Sequence, residues 1–251
     1  MLRAAARKFL EGKTLNRIAL LDRPLGRWQT WAVGGLLFLI AIAASAHGVS
    51  ESDKGFLQGS TGPQLLPYMY LGAKHMVTGY DHLLFLCGVI FFLYRMKDVG
   101  LYVTLFALGH STTLLLGVLN GWHINVFLVD AVIGLSIVYR AFDNLGGFRT
   151  VFGVQPNKKA AVLLFGFVHG LGLATKLQDF ALSKDGLVPN MVAFNVGVEI
   201  GQLLALGMIL VVMSFWRCTP GFGRHALTGN FALMTAGFVL AGYQFTGFLG
   251  Q

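Results

Sequence analysis

Charge is what this sequence has least of. Asp, Glu, Lys and Arg make up 12% of its 251 residues and hydrophobic side chains 55%, whereas a soluble domain carries roughly a quarter charged residues. No stretch is left over for a soluble domain of ordinary size, and lipid is the expected solvent. The two cysteines fall in an apolar run (Cys87) and a basic loop (Cys218), which excludes a disulfide framework and argues against redox chemistry. Proline is scarce, at 6, while 33 glycines are spread through the apolar runs, where small residues let neighbouring helices approach closely. The apolar runs lack the alternation of a β-barrel strand. A nucleotide-binding loop is missing too, which removes the basis for direct ATP coupling within this chain.

What is present is a series of apolar stretches, each long enough to cross a hydrocarbon core of about 30 Å as a helix. The spans are expected at 28–46, 68–94, 99–119, 126–143, 159–177, 190–216 and 226–248, separated by turns such as Asn120-Gly121, Gly146-Gly147 and Thr219-Pro220-Gly221. The fold class is therefore an all-α polytopic transmembrane bundle of about seven spans. With the N-terminus in the cytoplasm, fifteen of the 19 Lys and Arg lie inside, and only Lys54, Lys74, Lys176 and Lys184 lie outside. The net charge of +8 thus reads as topology, with the basic N-terminal segment also suited to resting on anionic lipid, and nucleic-acid binding is not needed to explain it. The expected layout is a basic cytoplasmic segment (1–27), an anchor span or signal peptide (28–46), an exterior loop (47–67) and a six-helix membrane core (68–251). The ambiguity at 28–46 comes from Ala44-Ser45-Ala46, which resembles a cleavage site that would leave His47 as the new N-terminus. The 27-residue basic region is long for a signal, which favours retention.

An ionisable side chain at the bilayer centre costs about 2.5 to 3.5 kcal/mol even on a lenient scale, so each should face protein or water. Span two carries His75, Asp81 and His82; His75 and His82 are seven residues apart and share a face of one helix, with Asp81 directed toward a different neighbour. Span three reaches His110-Ser111 half way, span four has Asp130 and Ser136, span five reaches His169 among glycines, and span six carries Asn195, Glu199 and Gln202. Five spans thus bring polar residues to the middle or outer half of the bilayer. Imidazole and carboxylate at one level are the ligand chemistry of divalent transition metals such as Ni, Zn, Co or Fe.

Blander readings exist for each part. A lone intramembrane His is often a helix-to-helix hydrogen-bonding group, Asp130 suits a helix N-terminus, and Asn195 and Gln202 resemble packing amides. His123 and His225 read as loop surface, and Phe85, Phe91, Phe92, Phe106, Phe165 and Phe167 as core or lipid-facing bulk. A weak internal echo relates Phe106 to His110-Ser111 and Phe165 to His169-Gly170, in helices of the same direction. Span seven, with Gln244 and no His, breaks the pattern.

The segments His75-x6-His82 with Gly79-x-Asp81-His82, Gly109-His110-Ser111, the acid and Ser of span four, Phe165-Gly166 to Gly172, and Phe194-Asn195 to Gln202 resemble the HupE/UreJ membrane proteins, in their less characterised branch. The likeness covers roughly residues 65 to 245; the long basic N-terminal segment stands outside it. It implies a role beside hydrogenase or urease maturation, and a nickel or cobalt permease activity. Position by position it implies metal handling by His75, Asp81, His82, His110, His169 and Glu199; Ser111, Asp130, Ser136, Asn195 and Gln202 are read from the spans themselves as supporting polar groups. The expected function is a permease or channel for a divalent transition metal, nickel ahead of zinc or cobalt, in the bacterial inner membrane. Its expected partners are the lipid bilayer, the metal ion and a larger membrane complex or a second copy of itself. Two rivals are a metal-dependent intramembrane hydrolase, with zinc held by His and Asp and an open water position, and an accessory subunit with a structural metal site.

Overall fold

The computed structural model describes Gly59 and residues 61–178 and 183–251. The expected basic segment and the span at 28–46 lie outside the described residues. Among the described residues are eight helices and no strand: α1 (Leu65–Thr78), α2 (Tyr80–Ile90), α3 (Met96–Asn120), α4 (Val126–Asn144), α5 (Gly147–Val151), α6 (Lys158–Gln178), α7 (Leu187–Arg217) and α8 (Pro220–Leu249). Four of them, α3, α6, α7 and α8, are long and apolar enough to cross a membrane. The 31 residues of α7 extend roughly 46 Å at 1.5 Å per residue, more than the hydrocarbon core requires. The 19-residue α4 is different, because Asp130, Arg140 and Asp143 are all buried along it. Such groups are tolerated in a membrane helix where protein covers them.

The stretch expected to form one span at 68–94 is two helices broken at Gly79. The Gly79 N–H bonds the His75 carbonyl and closes α1, and its carbonyl accepts from the Leu83 N–H and opens α2. Between them its ψ of 99° is extended. A Cβ at this position would stand 2.7 Å from His82 Nδ1 and 3.0 Å from Asp81 Oδ1, so the absence of a side chain lets those two groups fold back over the break. The other end of the 11-residue α2 is capped by side chains from elsewhere. Asn144 donates to the Gly88 carbonyl (2.8 Å), Arg140 to Val89 (3.3 Å), and Arg217 to Ile90 and Phe91. The last carbonyls of a helix have no partner within it, and in lipid each must find one.

Three helix pairs make the body of the bundle: α3 with α6, α1 with α7, and α4 with α8. Close approach of backbones joins each of them. A Cβ at Gly170 would collide with the His110 carbonyl, one at Gly166 with that of Phe106, and one at Gly109 with that of Leu163. Gly72, Gly197 and Gly201 serve α1 and α7 in the same way, and Gly134 and Gly237 serve α4 and α8. Without a hydrophobic driving force between helices in lipid, such contact and the occasional interhelical hydrogen bond hold a bundle together. One such bond, from Thr113 Oγ1 to the Phe167 carbonyl at 2.7 Å, belongs to a class worth about 0.6 kcal/mol on average. The residue numbers at the contacts rise together in α3/α6 and α1/α7, which are parallel, and run oppositely in α4/α8, which is antiparallel. The two echoing segments, Phe106 to His110 and Phe165 to His169, therefore lie side by side in one parallel pair.

Candidate metal centre

His75 sits in the last turn of α1, and Asp81 and His82 in the first turn of α2. His110 is carried by α3 and His169 by α6, each next to a glycine that draws the two helices together. The imidazoles converge on His82: its ring centroid lies 5.0 Å from His75, 5.7 Å from His110 and 5.0 Å from His169. One ligand atom each from His75, His82 and His110 lies within 4.8 Å of the others, and the same holds for Asp81, His82 and His169. His82, His110, His169 and Asp81 are buried and His75 nearly so.

Hydrogen bonds fix how these rings present themselves. His82 Nδ1 lies 2.9 Å from Asp81 Oδ1, and a carboxylate only accepts, so Nδ1 carries the proton and Nε2 presents its lone pair. The same oxygen accepts from the His82 backbone N–H at 2.9 Å. Carboxylate support of this kind orients a ligating imidazole and raises its basicity. Ser136 Oγ donates to the Ile133 carbonyl at 2.6 Å and lies 3.3 Å from His169 Nε2. Its single proton is thus committed, His169 donates from Nε2, and Nδ1 is left as acceptor. Five buried ring nitrogens have no hydrogen-bond partner: His75 Nε2, His82 Nε2, both nitrogens of His110, and His169 Nδ1. Nearly all buried polar atoms in proteins are satisfied. A set of unpaired imidazole donors beside one carboxylate fits a borderline divalent cation.

The other residues singled out in the sequence stand as follows. Asp81 turns back onto His82, which the Gly79 break makes possible, and stands in one group with His169. Glu199 is exposed on α7 and belongs to neither group. Asn195 donates to the Met191 carbonyl within α7, and Gln202 donates to the Val103 carbonyl of α3 at 3.1 Å, which is a packing role. Ser111 Oγ is buried with no partner. The cap of α4 is Asn125, which accepts from the Leu128 N–H; Asp130 instead binds Lys176 Nζ at 2.8 Å and 3.0 Å through its two oxygens.

Sequence reasoning passed over the walls of this site. Phe85 and Phe106 are fully buried and touch it, with Phe106 5.1 Å and Phe85 5.3 Å from the His169 ring, centroid to centroid. Phe85 also meets Phe106 at 5.1 Å and Phe165 at 5.9 Å. Each precedes or follows a cluster histidine by three or four residues, so together they form an aromatic layer one helical turn away, on the side opposite Lys176. The α4/α6 contact consequently reads as a ladder: Asp130 with Lys176, Ser136 with His169, and Tyr139 with Phe165 at 5.1 Å. The signal was available in the recurring distance of three or four residues between Phe and His in three helices.

Long apolar helices around a buried imidazole and carboxylate cluster define a multi-pass membrane protein with side chains able to hold a metal ion. The family model described as HupE / UreJ protein matches residues 51–251, and the chain belongs to that family. No curated protein and no solved structure matches it.

Proposed function

We propose that this chain is a secondary permease or channel for a divalent transition metal, nickel ahead of zinc or cobalt, in the inner membrane of a bacterium. The observation that carries the reading is the set of five unpartnered ring nitrogens on four helices, gathered beside Asp81. His75, His82 and His110 are the ligands, Asp81 balances charge and orients His82, and His169 completes the site on the side of α6. Membership of the HupE/UreJ family, with its implied link to nickel, supports the choice of metal. The positive-inside distribution of Lys and Arg makes the Lys176 end the exterior side, so the ion approaches from there. The Phe85, Phe106 and Phe165 layer then closes the interior side, and passage requires those rings to move. A carboxylate and neutral imidazoles offset part of the cost of dehydrating the ion without binding it irreversibly.

The test is accumulation of radiolabelled nickel by cells expressing the chain. His82→Ala and Asp81→Ala should each reduce it by at least about tenfold, the scale on which ligand and supporting-shell losses act. Accumulation equal to wild type in both variants would end the proposal, and competition with unlabelled zinc and cobalt ranks the metals. A second reading, a subunit of a larger membrane assembly, draws on Glu199. This carboxylate is exposed on α7 among exposed Val192, Val196, Ile200 and Leu203, and an acidic group on a lipid-facing surface calls for another polypeptide against it. Co-purification in fixed stoichiometry that Glu199→Leu abolishes, without loss of nickel accumulation, would favour it.

A further inference from the structure

A cavity of about 580 Å³ lies at the Lys176 end of the bundle, walled by His123, Asn125, Lys176 and the C-terminal Gln251 among others. Six waters at about 30 Å³ each occupy roughly 180 Å³, so a fully hydrated divalent cation fits inside. Lys176 joins this cavity to the interior. Its side chain retains 23% of its exposure, whereas that of Asp130, which it grips through both oxygens, retains 7%. Asp130 is thus screened from the cavity by the lysine. On its inner side, Asp130 Oδ1 lies 3.6 Å from where a Gly172 Cβ would be, and Gly172 is one turn of α6 from His169. Lys176 and His169 are seven residues apart, about 10.5 Å along the helix. Cavity, ion pair and histidine cluster therefore follow one another along the α4/α6 ladder.

We propose that Asp130 is an outer binding station for the incoming divalent cation and that Lys176 is a tethered counter-cation which occupies it at rest and is displaced as the ion arrives. A divalent ion interacts with one carboxylate twice as strongly as a monovalent ion at the same distance. The lysine, with one charge and a permanent tether, is placed to hold off sodium and potassium while yielding to a doubly charged competitor. This inference rests on the metal reading of the histidine cluster and adds a step before it.

The experiment uses the purified full chain in nanodiscs, with the association rate and equilibrium binding of radiolabelled Ni²⁺ as readouts. Removing one positive charge about 6 Å from a divalent ion changes its local concentration by about tenfold even at the dielectric constant of water. Lys176→Gln should therefore raise the association rate by about tenfold. Lys176→Met takes its place if the glutamine variant is not monodisperse. Lys176→Arg, whose planar fork grips a carboxylate in two-pronged fashion, should slow association. Asp130→Asn should lower it by tenfold or more, since it removes the carboxylate that receives the ion and keeps the positive charge of Lys176 on the route. Asp130→Asn combined with Lys176→Gln should recover most of that loss, a compensation that a merely structural pair would not give. An unchanged or lower rate in Lys176→Gln or Lys176→Met, while wild type binds and His82→Ala does not, overturns the outer station alone. If wild type binds no Ni²⁺, the reading of the histidine cluster falls and this step falls with it.

Discussion

Two ion pairs bracket the histidine cluster, and they are built differently. At the end beyond the Phe85 and Phe106 layer, Arg140 and Asp143 are bound at 2.8 Å with side-chain exposures of 4% and 2%. Gln155 donates to the same carboxylate at 2.7 Å, Lys158 approaches it to 3.4 Å, and Arg140 also reaches the Val89 carbonyl. At the other end, Lys176 grips Asp130 directly beside a cavity, with the lysine a quarter exposed. The first pair is tied to three elements and caps α2; the second joins α4 to α6. A charge pair cross-tied on all sides is a structural fastening, whereas one that opens onto a cavity is within reach of a cation from outside, as the proposed outer station requires.

The largest expected effect separates the two ends. Arg140 binds Asp143 and the Val89 carbonyl inside the protein, and losing one partner of a buried pair costs about 3 to 5 kcal/mol, of which Lys158 and Gln155 at the same carboxylate offset only a part. Arg140→Gln should therefore lower the thermal midpoint of the detergent-solubilised protein severely. Lys176→Gln should cost less, because the adjoining cavity lets water reach the Asp130 carboxylate once the lysine is gone. Thermal scans of the two variants side by side check this, and equal losses would erase the distinction between fastening and exchangeable pair.

A smaller effect probes the layer between them. Phe106 is 1% exposed and touches His82, His110 and His169 as well as Phe85. Phe106→Ala should cost about 3 kcal/mol of stability, the lower range for a buried Phe. In proteoliposomes it should also speed the leak of preloaded radiolabelled nickel several-fold. Phe106→Leu should restore most of the stability and less of the seal, because a branched aliphatic chain fills volume without spanning the gap to His169. An unaltered leak in Phe106→Ala would remove the aromatic layer from the permeation path.

The helical class and the convergence of His75, His82, His110 and His169 were legible in the sequence, because hydropathy sets where helices cross and direction sets depth. The reasoning that placed His75 and His82 on one face assumed a continuous helix. They meet all the same, since the break at Gly79 preserves their closeness while redirecting Asp81. That break was hidden because the flanking run is apolar on both sides, and a single glycine inside an apolar helix is compatible with packing or with a kink. Glu199 was grouped with the histidines through family likeness and helix depth, yet depth says nothing about azimuth, and it is exposed. Lys176 was counted only as an exterior charge. Its seven-residue distance from His169 put it on the cluster's face, but a positive group on the route of a cation is not sought by a search for ligands. Nor was the capping of α2 by Arg140, Asn144 and Arg217 readable, since these contacts join residues 51 to 127 positions apart.

The smallest effect tests whether the Arg140 end is a fastening in detail. Asn144 Nδ2 donates to the Gly88 carbonyl at 2.8 Å, and its loss should cost about 1 kcal/mol, the ordinary net worth of one hydrogen bond. Because that bond satisfies a carbonyl in the last turn of α2, the weakening should be local. Amide hydrogen exchange over residues 88–95 should rise in Asn144→Ala, while exchange around Asp130 and Lys176 stays as in wild type. Asn144→Asp should do worse than alanine, since it sets a negative charge against the negative end of a helix beside an already acidic Asp143. If alanine and aspartate variants exchange alike, the amide bond to Gly88 contributes nothing to holding α2. That end of α2 would then depend on the guanidinium groups of Arg140 and Arg217.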